Sequence, residues 1–491
     1  MNKNTNSLVV GLEHTATLTR TENDALTYST TLSPVLDFFG QGGALRTRTA
    51  QAVEQMFSKA FATEPLLALK VLFYLRDVRG GQGERQTFRT CLKWLANNHK
   101  AAVEKNLTNV PFYGRWDDLF ALVGTPLEEV AFKAMHNQLR MDWTNYRAKK
   151  PVSLLAKWLK SENTSSKSSV ELARKFRHFI GVTPKKYRKT LSALRCYINV
   201  VEVKMCAGDW SDIDFEKVTS KAALIYRKAF FKHDKDGYEK YLKDVEAGEA
   251  KMNAGAVYPY EILRSIIDDD NEVTVRAADA QWKAMPNFLE GNDHYGLVIA
   301  DVSGSMDGLP LLVSISLAVY FAERNLGPFK DVFMTFSNHP KLQRIVGANL
   351  KEKWANFNRS GWDMNTNLQA AFDEILSVAR LNKVPQKDMP SVLYIISDME
   401  FDGACEKNDQ TNFDVMKRKF QAAGYELPKV VWWNVDSRND NCPIRFDDTG
   451  TALVSGCSPS ILKAVLANTE LTPMGTMLEA VNGERYDRVV V

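Results

Sequence analysis

Several things are missing from this 491-residue chain, and each absence removes a class of protein. The opening residues, MNKNTNSLVVGLEHTATLTR, hold no sustained apolar core, so no secretory signal is expected. The longest low-polarity run, Leu309 to Ala322, is too short to span a bilayer and is closed by Glu323-Arg324. It reads as a buried helix. The six cysteines (Cys91, Cys196, Cys206, Cys405, Cys442, Cys457) are scattered and form no C-x-x-C pair. That argues against a structural zinc site and a disulfide framework, and predicts a reducing, cytoplasmic setting. There is no low-complexity tract, and a net charge of +4 is small for this length. With 45% hydrophobic residues and ten tryptophans the chain is ordinarily globular, and it is too long for one core. The expectation is a monomer of two or three domains that stays off membranes.

What is present divides into three stretches. Residues 1–40 are polar, rich in threonine and asparagine, and end in the apolar Leu36-Asp37-Phe38-Phe39; they are expected to pack on the body. Residues 41–290 show helical periodicity almost throughout. Leu66-Leu67, Val71 and Phe73-Tyr74 recur at steps of three and four, and similar stripes occupy 85–98, 127–146, 183–206 and 258–268. Thr183 before Pro184 predicts an N-cap followed by a first-turn proline. Medium helices joined by short breaks predict an α-helical, HEAT-like repeat array, although no clean period is visible. From 291 to 491 strand-like runs (297–301, 331–336, 391–397, 429–435) alternate with helical ones (309–325, 367–380, 411–423). Near-continuous apolar strands of this kind predict a parallel sheet covered on both faces, with ligands bound beyond the carboxyl ends of the strands. The fold class is therefore α + α/β.

The most informative dozen residues are 297–308, LVIADVSGSMDG. An apolar run ends in Asp301, followed by Ser303 and Ser305, so a carboxylate and two hydroxyls at alternate positions leave a strand end. Hard oxygens of this kind suit a small divalent cation such as Mg2+. The D-x-S-x-S pattern resembles the metal-ion-dependent adhesion site of von Willebrand factor A domains, which implies a doubly wound, Rossmann-like fold for 291–491. By that resemblance Thr366, in the loop Gly361–Leu368, and Asp398, after VLYIIS, join Asp301, Ser303 and Ser305 as the metal set. The plainer alternative is that the serines cap the next helix and Asp398 caps its own turn. A metal left open by its own protein attracts a carboxylate from another molecule, which points to binding and not turnover. No general base stands nearby, His294 being a lone loop histidine. No enzyme is expected.

Charge is uneven. Arg147 to Arg195 holds fourteen basic residues and two acids, Glu162 and Glu171. Lys149, Lys150, Lys157, Lys160, Arg174, Lys175, Arg177, Lys185, Lys186, Arg188 and Lys189 are the candidate phosphate contacts of an RNA-binding face, interleaved with Trp158, Phe176, Phe179, Tyr187 and Tyr197. The alternative is a solvated lysine face over an aromatic core. YLRDVRGGQGER (74–85) lacks the lysine and hydroxyl of a P-loop and reads as a glycine turn whose arginines pair Asp77 and Glu84. In PFYGRWDDL (111–119) Asp117 is expected to cap a helix.

These two motifs, together with Thr21-Glu22-Asn23, LDFF, KMNAGAVYPYEIL, IISDMEF and VSGCSPSIL, resemble the family carrying the domain of unknown function 2828. That family is similar in plan to the Ro 60-kDa autoantigen, a ring of helical repeats closed by a von Willebrand A domain. The resemblance implies binding of small structured or misfolded RNAs, although the Ro-type N-terminal motifs are not matched. A Mg2+-dependent protein-interaction scaffold without RNA is the alternative it leaves.

Overall fold

The computed structural model describes residues 15–291, 295–335, 340, 342–358, 366–403, 410–468 and 470–491. His294, Cys405 and residues 361–365 of the second polar loop lie outside them. The chain begins with an antiparallel hairpin, β1 (Leu18–Arg20) and β2 (Leu26–Tyr28). Helix α1 (Pro34–Gly42) follows, started by Ser33, whose hydroxyl accepts the Leu36 N–H, and by a first-turn proline. A long helical array comes next. It includes α2 (Gln86–Asn98), α3 (Leu155–Trp158), α4 (Lys167–Phe179) and α5 (Pro184–Tyr197), and runs to the helix Glu272–Lys283. Thr183 caps α5 as its sequence predicts, accepting from the Lys186 N–H at 3.2 Å. The 183–206 stripe is not one helix. Asn199, at φ 53°, turns the chain after α5, and a separate short helix spans Val201–Ala207.

The second half is a six-stranded sheet of order β5-β4-β3-β6-β7-β8. Its strands are β3 (Gly296–Ala300), β4 (Val332–Thr335), β5 (Leu342–Arg344), β6 (Val392–Ser397), β7 (Lys429–Asn434) and β8 (Thr451–Ser455). Only the edge strand β5 runs antiparallel. The order reverses between β3 and β6, as in doubly wound α/β folds, which opens a crevice at their carboxyl ends. β5 and β8 were not anticipated, because LQR and TALVS are too short to show a period. Within β3, Leu297 and Ile299 face one core and Val298 and Ala300 the other, the alternation of a pleated strand buried on both sides. Helix α6 (Leu309–Arg324) covers one face and stacks Phe321 on Tyr394 with ring centroids 4.7 Å apart.

The two halves interlock. The core face carrying Val298 and Trp433 is continuous with that of Phe73 and Phe88 in the helical array. Helix α1 lies on β8 so closely that a Cβ on Gly40 would stand 2.5 Å from Leu453 Cδ2. At the other end, Arg485 reaches back to Asp77 (Nη2–Oδ1 2.7 Å) and Arg488 to Asn109 (2.7 Å). Glu84 is met by Arg46 at 2.8 Å. The arginines that neutralise Asp77 and Glu84 are therefore remote, not those of the 74–85 turn as expected from its sequence. No described helix is long and apolar enough to cross a membrane.

Candidate metal centre and basic face

β3 and β6 end side by side, and this register brings their terminal carboxylates together. Asp301 and Asp398 are both buried. Ser397, the last residue of β6, links them: its hydroxyl donates to Asp301 Oδ2 at 2.6 Å and lies 3.4 Å from Asp398 Oδ1. The other oxygen of Asp301 accepts the Ser303 N–H at 2.9 Å. Ser303 and Ser305 stand with their hydroxyls 3.0 Å apart. Burial, and then the charge of Asp398, push the Asp301 carboxyl up to about 7, against the opposing hydrogen bonds from Ser303 and Ser397. Met399, buried and at φ 67°, is a non-glycine residue in the left-handed region. The turn lets Asp398 Oδ1 accept the Glu400 N–H at 3.1 Å, so Asp398 does cap its own turn as well.

Thr366 attaches to the group from the side. Its hydroxyl donates to Asp402 Oδ1 at 2.5 Å and accepts from Asn23 Nδ2 at 2.9 Å. Asn23 also donates to the Glu400 carbonyl at 2.7 Å. Its neighbours complete a strap: the Thr21 hydroxyl donates to the Phe401 carbonyl, and the Glu22 N–H to the Glu400 carboxylate, both at 2.7 Å. Glu400 is itself buried and receives Asn439 and Asn441 at 2.9 and 2.8 Å. Arg438 adds a fixed positive charge, its Nη2 2.6 Å from Asp398 Oδ2 and 3.3 Å from Glu22 Oε2. Asn23, Glu400 and Arg438 were given no role in the sequence reading; the Thr21-Glu22-Asn23 and IISDMEF motifs were the signals that could have pointed to the strap.

The donor set suits a hard divalent cation, because two buried carboxylates that repel each other stand beside serine hydroxyls at one strand-end crevice. Asp301, Ser303, Ser305, Asp398 and, through the strap, Thr366 are the residues that would hold it. Among the described residues no three His, Cys, Asp or Glu side chains are grouped to hold a metal. Two carboxylates and hydroxyls are what this site offers.

The basic cluster sorts into two kinds. Lys160 is paired with Asp117 at 3.1 Å and Arg177 with Glu162 at 2.7 Å, and Arg195 donates to the carbonyls of Ala156 and Leu159 at 2.8 Å. Those residues hold the helices together. Lys149, Lys150, Arg174, Lys175, Lys185, Lys186, Arg188 and Lys189 are exposed, and Lys157 lies half-buried over the Trp158 ring at 5.6 Å. None of these nine forms an ion pair among the described residues. The first turns of α4 and α5 carry no acid, so Lys185 and Lys186 add to the positive end of the α5 dipole. Phe176 and Tyr187 are core; Phe179 and Tyr197 are exposed.

The domain of unknown function DUF2828 matches residues 21–169 and 152–292, more than half of the chain. The chain belongs to the DUF2828 family. A second domain of unknown function, DUF7788, matches 296–487, the sheet-bearing half. This DUF2828 chain is 30% identical to uncharacterized protein L728 of Acanthamoeba polyphaga mimivirus, over 94% of this chain and 87% of that one. Among solved structures, the Ro (RSR) protein of Deinococcus radiodurans aligns over 92% of this chain and all of its own, with 11% identity and a TM-score of 0.32.

Proposed function

We propose that this DUF2828 protein binds RNA through the exposed face of α4 and α5, while its sheet half holds Mg2+ at the β3–β6 crevice. One observation carries the reading: nine cations of the 147–195 stretch form no ion pair among the described residues. Held side by side they repel one another, and a chain of phosphates relieves that repulsion while releasing condensed counterions. The exposed Phe179 and Tyr197 offer rings for unpaired bases, which suits loops and loose RNA ends better than a continuous duplex. The buried thiols of Cys91, Cys442 and Cys457 are free, in keeping with a cytoplasmic site of action.

The metal centre supports a second role. Bound Mg2+ would supply an open coordination position for a hard oxygen, and a protein carboxylate is the natural occupant. No residue is assigned to turnover; the activity proposed is binding.

The test is the nucleic-acid content of the full-length protein purified from its host, with ultraviolet crosslinks mapped to residues. Crosslinks on α4 and α5 are expected. Protein that carries no RNA and yields no crosslink would sink the RNA reading and favour the scaffold. Capture of a protein that is lost with chelator or with Asp301→Ala would identify that scaffold role.

A further inference from the structure

Outside the 147–195 face a second cationic group is built around Asp117 and Asp118. Arg76, Arg89, Arg115 and Lys160 all pair with these two carboxylates. Arg115 grips Asp117 with Nε and Nη2, both at 2.9 Å, and lays its guanidinium 4.0 Å over the Trp158 ring. A fifth cation, the exposed Arg85, forms no ion pair among the described residues, although Asp117 acts on it without pairing. Burial, and then its neighbours Arg115 and Arg89, hold its pKa below the usual arginine value against the opposing charge of Asp117. Arg85 also sits at the N-cap of α2, where its carbonyl accepts the Arg89 N–H at 3.0 Å, while the helix end itself is met by Glu84, whose carboxylate accepts the Gln86 N–H at 2.9 Å and pairs with Arg46. The guanidiniums of Arg85, Arg89 and Arg115 thus share one place, with a surplus of positive charge over Asp117 and Asp118. A tetrahedral oxyanion is what such a place takes.

We infer that Arg85, Arg89 and Arg115 form a phosphate site for the backbone of single-stranded RNA. The inference rests on the RNA reading above and extends it to the 74–85 and 111–119 motifs, which in the sequence read as a glycine turn and a helix cap. RNA is favoured over free phosphate because the charge is continuous. Helix α3 carries Lys157 and Trp158 from this group towards α5, where Tyr187 donates to the Lys160 carbonyl at 2.9 Å. Trp158, flanked by Arg115 and Lys157, thus joins the arginine group to α3, and α3 to the Lys160–Tyr187 contact with α5.

The experiment uses the full chain and two probes, inorganic phosphate followed by thermal shift and an RNA of about 12 nucleotides followed by fluorescence anisotropy across a salt series. Arg85→Ala is expected to weaken the RNA about five- to tenfold and to lower the log–log salt slope by about 0.7, one phosphate contact. Arg85→Lys should keep most of the affinity. Because Arg85 is exposed and forms no ion pair among the described residues, neither variant should lower the melting temperature. Wild-type affinity and slope in both Arg85→Ala and Arg85→Gln would overturn the site. The RNA reading would then stand or fall on a Lys185→Ala, Arg188→Ala, Lys189→Ala variant. A protein that ignores RNA but is stabilised by inorganic phosphate, an effect lost in Arg85→Ala, would overturn RNA as the occupant and leave a free phosphate.

Discussion

The strand-end crevice and the basic helical face handle charge in opposite ways. In the crevice Asp301, Asp398 and Glu400 are buried, and each is met by hydroxyls, backbone N–H groups, amides or Arg438. On α4 and α5 Arg174, Lys175, Lys185, Lys186, Arg188 and Lys189 face outward and form no ion pair among the described residues, whereas Arg177 and Arg195 are held inward. A buried charge left without partners costs several kcal/mol, so a fold must satisfy it at once. An exposed charge in water and salt costs little, so a fold can leave it for a ligand. The crevice is thus defined by what the protein supplies, and the face by what it withholds.

The sharpest way to test that contrast is to unpair a buried charge in the helical half. Asp118 accepts from Arg76 at 2.8 Å and from Arg89 and the Arg115 backbone at 2.7 and 2.9 Å. Asp118→Ala would strand the buried Arg76 guanidinium and should cost about 3–5 kcal/mol in denaturant unfolding. A loss under about 1 kcal/mol, the usual scale for an exposed pair, would break the distinction.

Metal loading comes next in size. Mn2+ or Mg2+ at about 100 times its dissociation constant should stabilise the wild type by about 2.7 kcal/mol and leave Asp301→Ala unmoved in a thermal melt. Equal shifts in the two proteins would place the ion elsewhere. With chelator present, pH reports on the same carboxyl. Its folded-state value is raised from 3.8 to about 7, so the folded protein holds this proton more tightly than the unfolded chain. The contribution of Asp301 to stability is complete below its ordinary value and is lost as pH climbs towards 7. Asp301→Asn should flatten that part of the stability–pH curve, and an unchanged curve would show that burial does not perturb the group.

On the basic face, removing Lys185, Arg188 and Lys189 together should lower RNA affinity about tenfold and reduce the salt slope by about 2, with the unfolding midpoint unchanged. A fall in stability instead would mean these lysines belong to the fold. The smallest effect is expected at the strap. Asn23→Ala removes two hydrogen bonds and should cost about 1 kcal/mol, and it should weaken metal binding if Asn23 orients Thr366. A stability loss with unaltered metal affinity would make the strap structural only.

The crevice was partly legible because its first ligands are local: a strand run, then Asp301, Ser303 and Ser305 within five residues. Its second ring is not local. Asn23 reaches Thr366 across 343 positions, and Arg438 reaches Asp398 across 40. The basic stretch was legible as a charge imbalance, but Lys160 and Arg177 looked the same as Lys185 and Arg188 there. Only packing showed that the first two are pinned by Asp117 and Glu162. The cap expected of Asp117 is made by Asp118, which takes the Arg115 N–H, while Asp117 holds side chains instead.

Residue order alone determined the helical first half, the alternating second half and the two carboxylates at strand ends, because periodicity and strand termination are set by neighbours a few residues apart. Tertiary structure decided which charges are free. Neutralisation depends on distances of a few ångströms between residues that the chain keeps hundreds of positions apart, as Arg485 and Asp77 show.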